Sequence, residues 1–278
     1  MMRRSDCGLR VGEGGAGAAL WRRRVLRPVA VLAPAADALV AAAEVGFGDT
    51  VLDVGAGDGN VAVAAARRGA RVVACDLAPA QVERGKARCR REGSQVEWLV
   101  ADAEQLPFQA ESFTHVLSAF GVVFAPRPEV ATSEMFRVCR PGGVVAFTSW
   151  PHGSFMDEAT RAVRALSPED DPFPDIELGW GDEETIRTRL RTHAATVLCT
   201  RRSLFFDPEE RGRAGAADCG ATWLTDHLDP DALAELQARR EHLLAKHRGD
   251  DGRTRANFLI VVAAAHYQER DSSHAITR

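Results

Sequence analysis

Ten consecutive residues constrain this chain most: Val51-Leu52-Asp53-Val54-Gly55-Ala56-Gly57-Asp58-Gly59-Asn60, with a second acid, Asp76, closing the next apolar run 23 positions after Asp53. Read as strand, glycine turn, helix, strand and acid, the stretch describes one half of a nucleotide-type binding sheet. The turn glycines let backbone approach a ligand closely. The acid at the next strand end is placed to accept hydrogen bonds from ribose hydroxyls.

The turn also says which ligand it suits. A dinucleotide turn wants a third glycine or an alanine where this chain has Asn60, because the helix must sit tight on the strand. A pyrophosphate wants the bare positive end of that helix, and Asp58 stands at its entrance. The turn therefore suits a ligand without phosphate. Downstream, Val96-Glu97-Trp98-Leu99-Val100-Ala101-Asp102-Ala103 reads as a third strand ending in an acid, followed by Leu106-Pro107-Phe108. Ser112 to Ser118 supplies a fourth strand. Glu134-Met135-Phe136-Arg137-Val138-Cys139-Arg140-Pro141-Gly142-Gly143 reads as a helix with a sharp stop, its glycines turning the chain into a fifth strand, Val144 to Thr148.

These four signals, in this order over about residues 45 to 150, resemble the class I S-adenosylmethionine (SAM) methyltransferases, in particular the type 11 and ubiquinone/menaquinone-biosynthesis group. The first matches motif I, Asp102-Ala103 matches an Asp-Ala pair, and Arg137 to Gly143 matches an Arg-Val-Leu-Arg-Pro-Gly-Gly hallmark. The resemblance implies an α/β fold: a Rossmann-like, seven-stranded, mostly parallel sheet with one antiparallel strand, helices on both faces, and a helical or loop cover over the active site. It implies SAM as cofactor, with S-adenosylhomocysteine as product. It also assigns roles: Asp76 and Leu77 to ribose and the adenine wall, Asp102 and Ala103 to the base, Gly55 and Gly57 to the methionine end, Asp53 to support of the turn, and Ser118 to a backbone contact. An ionised carboxylate at 102 suits the adenine amino group because it only accepts hydrogen bonds. Gly59 is expected to allow helix packing, and Asp58 to cap the helix.

A chain of 278 residues with 45% apolar content can bury a full core. No run approaches the roughly 18 apolar residues of a membrane span. A glycine-rich stretch follows Arg3 and Arg4, which speaks against a secretory signal, so the expected location is cytoplasmic. A net charge of −4 argues against general nucleic-acid affinity. The expected partner is a small-molecule acceptor, with neither nucleic acid nor membrane, in a monomer or homodimer. Six cysteines, at 7, 75, 89, 139, 199 and 219, form no metal-type spacing, so no metal is expected and Cys75 reads as core.

Residues 1–18 read as a flexible arm and 19–278 as one methyltransferase domain, with a substrate cover over about 151–256. From Leu20 to Val45 apolar residues recur at helical spacing, broken at Pro28 and Pro34, and Trp21 with Arg22 to Arg24 could close the pocket. Gly181 to Thr185 opens a helix with an acidic first turn. Ala194 to Cys199 and Ser203 to Phe206 read as strand, Asp229-Pro230 starts a helix that Gly249 ends, and Phe258 to Ala264 suits a buried strand. The first and last of these strands are the expected closing hairpin.

Methyl transfer from a sulfonium is an in-line displacement that consumes charge, so positioning supplies most of the catalysis, about 7 to 11 kcal/mol. A base adds roughly 10²- to 10⁴-fold only where the acceptor loses a proton. No catalytic side chain is fixed by sequence. His152, just past the fifth strand, is the first candidate base, His227 a weaker one, and His115 reads as a core histidine. Phe155, Phe173, Trp180, Phe205 and Trp223 could line an acceptor pocket. Alternatives are a nicotinamide-dependent oxidoreductase, against which Asp58 and Asn60 speak, and a non-catalytic SAM-binding protein. A base-modifying nucleic-acid enzyme is disfavoured because Ser118-Ala119-Phe120-Gly121 stands where such enzymes carry Asn/Asp-Pro-Pro-aromatic.

Overall fold

The computed structural model describes residues 30–167, 179–206 and 228–266. Strand β1 (Thr50–Val54) is followed by β2 (Arg71–Asp76), β3 (Val96–Val100), β4 (Phe113–Ala119), β5 (Cys139–Ser149), β6 (Ala194–Phe206) and β7 (Thr254–Ala265). They form one seven-stranded sheet in the order β3-β2-β1-β4-β5-β7-β6. Pairing is parallel from β3 through β5, and β7 runs antiparallel to both β5 and β6. This is the expected mostly parallel sheet with one reversed strand. Its order turns at β1 and β4, where ligands bind in open α/β sheets.

Alternation along the strands feeds two cores. Val51, Val72, Ala74, Leu117, Ala146 and Ile260 pack under α1 (Ala33–Ala42) and α2 (Asn60–Arg67). Leu52, Val54, Cys75, Val116, Phe147 and Val261 pack under the helix Pro128–Val138 and the helix Glu183–Leu190. The element between β2 and β3 is α3 (Pro79–Glu92); the helices after it are α4 (Pro128–Val138), α5 (Phe155–Arg164), α6 (Glu183–Leu190) and α7 (Pro230–Lys246). Among the described residues no helix is long and apolar enough to cross a membrane.

Four local expectations need correction. Pro34 does not break a helix but lies in the first turn of α1, where its missing N–H is no loss. Helix α4 ends at Val138, and Arg140-Pro141-Gly142-Gly143 lies inside β5 rather than before it. The pairing with β4 slips between Phe113 and His115, so the Pro-Gly-Gly segment is a bulge that the ladder absorbs. Gly143 fits because a Cβ there would fall 2.7 Å from both Cys139 Sγ and Thr114 O. The two short strands expected at 194–199 and 203–206 are one 13-residue strand.

The fourth concerns the cover. Helix α6 is a layer helix, its Ile186 and Leu190 buried with Leu259 and Val261, while β6 belongs to the sheet, as expected of Ala194 to Cys199. Helices α5 and α7 are tied together by Glu158, which meets Lys246 Nζ at 2.6 Å and His247 Nε2 at 2.9 Å. Residues 168–178 and 207–227 of the expected cover, the arm 1–18, and Trp21 with Arg22 to Arg24 lie outside the described residues.

Candidate active site

The turn after β1 is built by three consecutive devices. Gly55, Gly57 and Gly59 all take positive φ, a conformation that only glycine adopts without strain. Gly55 also lies against Gly121: a Cβ on Gly55 would sit 3.0 Å from Gly121 Cα. The tips of β1 and β4 therefore touch backbone to backbone at the switch point. Ser118 locks this contact, its hydroxyl donating to Val54 O at 2.7 Å and accepting from Val122 N at 2.8 Å.

Two acids hold the turn from beneath. Asp76 Oδ2 accepts from Gly57 N at 2.8 Å and Oδ1 from Ala78 N at 2.9 Å. Burial raises its pKa, and those two amides pull it back. Asp53 is 1% exposed and accepts from Ala62 N at 2.9 Å through Oδ2. It thereby supplies the helix cap expected of Asp58, since Gly59, at the N-cap of α2, has no side chain. Asp58 instead pairs with Arg88 Nη1 at 3.5 Å, and the same guanidinium donates to Asn60 Oδ1 at 2.7 Å. Asp53 Oδ1 is buried without a partner. Burial, reinforced by the charges of Asp76 and Asp58, pushes its carboxyl up to about 8 despite the Ala62 bond.

The third acid shapes a loop. Asp102 Oδ1 accepts from Glu104 N at 2.9 Å, and its backbone oxygen from Gln105 N at 3.0 Å, which leaves Oδ2 and the Ala103 backbone at the tip of β3. Leu77 and Ala103 are half-buried. The Leu106 to Phe108 segment is held by α4: Glu134 Oε2 accepts from Leu106 N at 2.7 Å, and Arg137 donates to Phe108 O at 2.7 Å and to Leu106 O at 2.9 Å. Two phrases singled out separately in the sequence are thus one clamp. Their i,i+3 spacing on a helix was the available signal.

Trp98 on β3 carries the packing that Gly59 was expected to allow. Its ring fills a slot between α2 and α3, where a Cβ on Gly59 would meet Cζ2 at 2.9 Å and one on Gly85 would meet Cη2 at 2.1 Å. Gly85 was missed, because a lone helical glycine carries no signal of what faces it.

The acceptor side is less complete. His152 follows β5 with its side chain 47% exposed. Arg161 Nη2 lies 3.2 Å from Nδ1, and Asp157 Oδ1 lies 3.7 Å from it. Arginine only donates, so this contact puts the imidazole proton on Nε2. Asp157 is buried and also accepts from Gly153 N at 2.9 Å. His115 is the core histidine expected: Nδ1 meets Thr114 Oγ1 at 2.7 Å and Nε2 meets Ala43 O at 3.0 Å. Burial lowers its pKa, opposed by Asp49. Phe155 and Trp180 are buried in the two cores, and Phe205 is exposed under Arg253 and Arg255. Phe173, Trp223 and His227 lie outside the described residues. Cys75 is buried core, its thiol pushed far up by burial.

Residues 52–147 match a family described as a methyltransferase domain. An uncharacterized protein of Mycobacterium tuberculosis is 38% identical over 177 residues, 64% of this chain, and the chain spans 65% of that relative's length. A demethylmenaquinone methyltransferase of Clavibacter sepedonicus is 36% identical over 186 residues, covering 62% of this chain and 70% of the relative. Among solved structures, the YcgJ protein of Bacillus subtilis superposes with a TM-score of 0.59 at 16% identity over 84% of this chain and 99% of its own. That likeness is one of fold.

Proposed function

The chain belongs to the class I SAM-dependent methyltransferases, and from that premise we propose that it transfers the methyl group of SAM to a small-molecule acceptor. One observation carries the reading. The buried oxygen Asp53 Oδ1 has no partner, at the root of a turn whose helix entrance is guarded by a second carboxylate, Asp58. A ligand that brings an ammonium group completes such a site, whereas a diphosphate finds the turn donor Gly57 N already bonded to Asp76. The residues thus fit a nucleoside joined to a zwitterionic amino acid and do not fit a nicotinamide dinucleotide.

In this reading Asp53, Gly55 and Gly57 hold the amino-acid end, Asp76 and Leu77 the ribose and one face of the adenine, and Asp102 with Ala103 the adenine edge. Ser118 contributes by fixing the β4 tip against Val54. Bound there, SAM supplies a methyl group on a sulfonium that leaves as a neutral sulfide. The chain's own contribution is alignment of nucleophile, carbon and sulfur. His152 is the proton acceptor of this set where the acceptor must be deprotonated, and it serves in the tautomer that turns Nδ1–H toward Asp157. The demethylmenaquinone methyltransferase relative favours a quinone-like aromatic or other biosynthetic intermediate as acceptor. Within the chain, residues 45–150 bind cofactor, and the acceptor is chosen by residues 1–45 and by the parts of 151–256 outside α6 and β6.

The test is calorimetric titration with SAM and S-adenosylhomocysteine, followed by transfer of labelled methyl to a panel of phenolic and quinol acceptors. Micromolar binding of both compounds supports the reading. Absence of heat with either at high micromolar concentration removes it.

A further inference from the structure

Among the described residues, Asp53 stands in a corner whose charges are all against its ionisation. Its carboxyl takes one hydrogen bond, from Ala62 N to Oδ2 at 2.9 Å, and Oδ1 is buried with no partner. Strand β2 brings Asp76 and the Cys75 thiol, and the turn before α2 brings Asp58. Strand β4 lays Leu117 alongside in register, with the Ser118 hydroxyl turned to Val54 O. From α3 come the Cys89 thiol and Arg88, whose guanidinium is committed to Asp58 at 3.5 Å, Asn60 Oδ1 at 2.7 Å and Glu92 at 2.9 Å. One backbone amide cannot keep a dry carboxylate ionised. Burial first, then the charges of Asp76 and Asp58, leave the proton on Asp53 in the free protein at neutral pH.

We propose that cofactor binding displaces a proton from Asp53 to solvent, the ammonium of the cofactor's amino-acid end taking that proton's place beside Oδ1. The proposal rests on the SAM reading of the cleft and deepens it. The step balances: one carboxyl O–H bond breaks, its proton passes to buffer, and an ion pair to the ammonium replaces it. The free protein thus holds one proton more than the complex, so affinity rises with pH while Asp53 is protonated. The rise ends near pH 8, where the free carboxyl has ionised and the ligand's own α-amino group gives up its proton. Asp76 is the rival source of a proton, since burial raises its pKa as well. In the SAM reading, however, Asp76 faces the ribose, so a nucleoside without the amino-acid end separates the two acids.

The experiment is calorimetric titration of the full chain with S-adenosylhomocysteine at about pH 5.5, 6.5 and 7.5, each in buffers of different ionisation enthalpy, which counts the protons released. The comparison ligand is 5′-methylthioadenosine, which keeps the nucleoside and the sulfur but lacks the amino-acid end. S-adenosylhomocysteine is expected to release about one proton at pH 6.5, with Kd falling roughly tenfold per pH unit. Methylthioadenosine is expected to release none and to bind with a flat pH profile. Asp53→Asn keeps an oxygen for Ala62 N and is expected to bind S-adenosylhomocysteine without proton release, its Kd flat over the same range. No measurable release by wild type, equal release with both ligands, or an unchanged pH slope in the variant overturns the proposal while leaving the SAM reading in place. Absence of S-adenosylhomocysteine binding at all three pH values removes the SAM reading, and the proposal falls with it.

Discussion

Asp76 Oδ2 lies 2.8 Å from the Gly57 amide it accepts, so the acid at the tip of β2 fastens the turn that follows β1. Its other oxygen fastens the start of α3 through Ala78 N at 2.9 Å. Replacing it touches stability and binding together. Asp76→Ala leaves two part-buried amides without their acceptor and is expected to lower unfolding free energy by about 1–3 kcal/mol in urea titration. Affinity for S-adenosylhomocysteine is expected to fall about a hundredfold, the worth of two lost bonds to a charged group. Asp76→Asn keeps one acceptor and lands between. An alanine variant with the wild-type urea midpoint contradicts the fastening.

Asp53 makes the ligand-free protein sensitive to alkali. Its folded carboxyl titrates near 8 because it is buried, against 3.8 in the unfolded chain. Below about pH 4 both states hold the proton. Between there and about 8 only the folded state does, so stability falls as pH rises through that window and the loss is complete above it. Asp53→Asn removes this titration and keeps an oxygen for Ala62 N. We expect its melting temperature to exceed that of wild type by about 4 °C or more at pH 8, with little difference at pH 4. The same variant is expected to bind SAM more weakly, because an amide cannot ionise to pair with the ligand's ammonium as the carboxyl can. Parallel melting curves of the two proteins from pH 4 to 9 are the contrary result.

The cofactor half of the molecule was legible because its chemistry is local. Strand, glycine turn, helix and acid occupy a few dozen consecutive residues, and the turn conformation at Gly55, Gly57 and Gly59 follows from residue type. Long-range pairings were not legible. Asp53 caps α2 across nine residues, a geometry set by the side on which the strand presents it. Glu134 and Arg137 clamp a loop about thirty residues away. Pro141 reads as a helix stop in any sequence, yet here a neighbouring strand pairs across it and makes a bulge. After β5 the sequence lacks a strong period, and α6 falls within the span read as cover although its Ile186 and Leu190 are buried against the sheet.

Gly85 and Gly59 measure how tightly Trp98 is held. A methyl at Gly85 would stand 2.1 Å from the indole and one at Gly59 2.9 Å from it, and the Gly59 backbone has φ of 90° besides. Gly85→Ala is expected to destabilise by about 1–3 kcal/mol through overpacking, although alanine favours helix. The double change Gly85→Ala with Trp98→Phe, which shortens the ring, should recover part of that loss. Urea denaturation of the single and double variants decides it. A Gly85→Ala protein as stable as wild type shows that the indole moves freely.

His152 is the last of these tests, because its geometry sets two outcomes apart. Arg161 at 3.2 Å donates to Nδ1 and keeps the proton on Nε2. Base chemistry requires that proton on Nδ1 instead, within reach of Asp157 Oδ1, now 3.7 Å away. Breaking the arginine contact therefore favours the competent tautomer. With an acceptor that must lose a proton, His152→Asn is expected to lower kcat about a hundredfold with the KM for SAM unchanged. Arg161→Gln, measured by the same assay, is expected to hold or raise kcat, since the competing donor is gone and Asp157, released from its own pair with Arg161 Nε at 3.1 Å, keeps its bond from Gly153 N. A loss under threefold in His152→Asn, or a hundredfold loss in Arg161→Gln with normal SAM binding, moves proton acceptance to another group and leaves alignment alone as this loop's contribution.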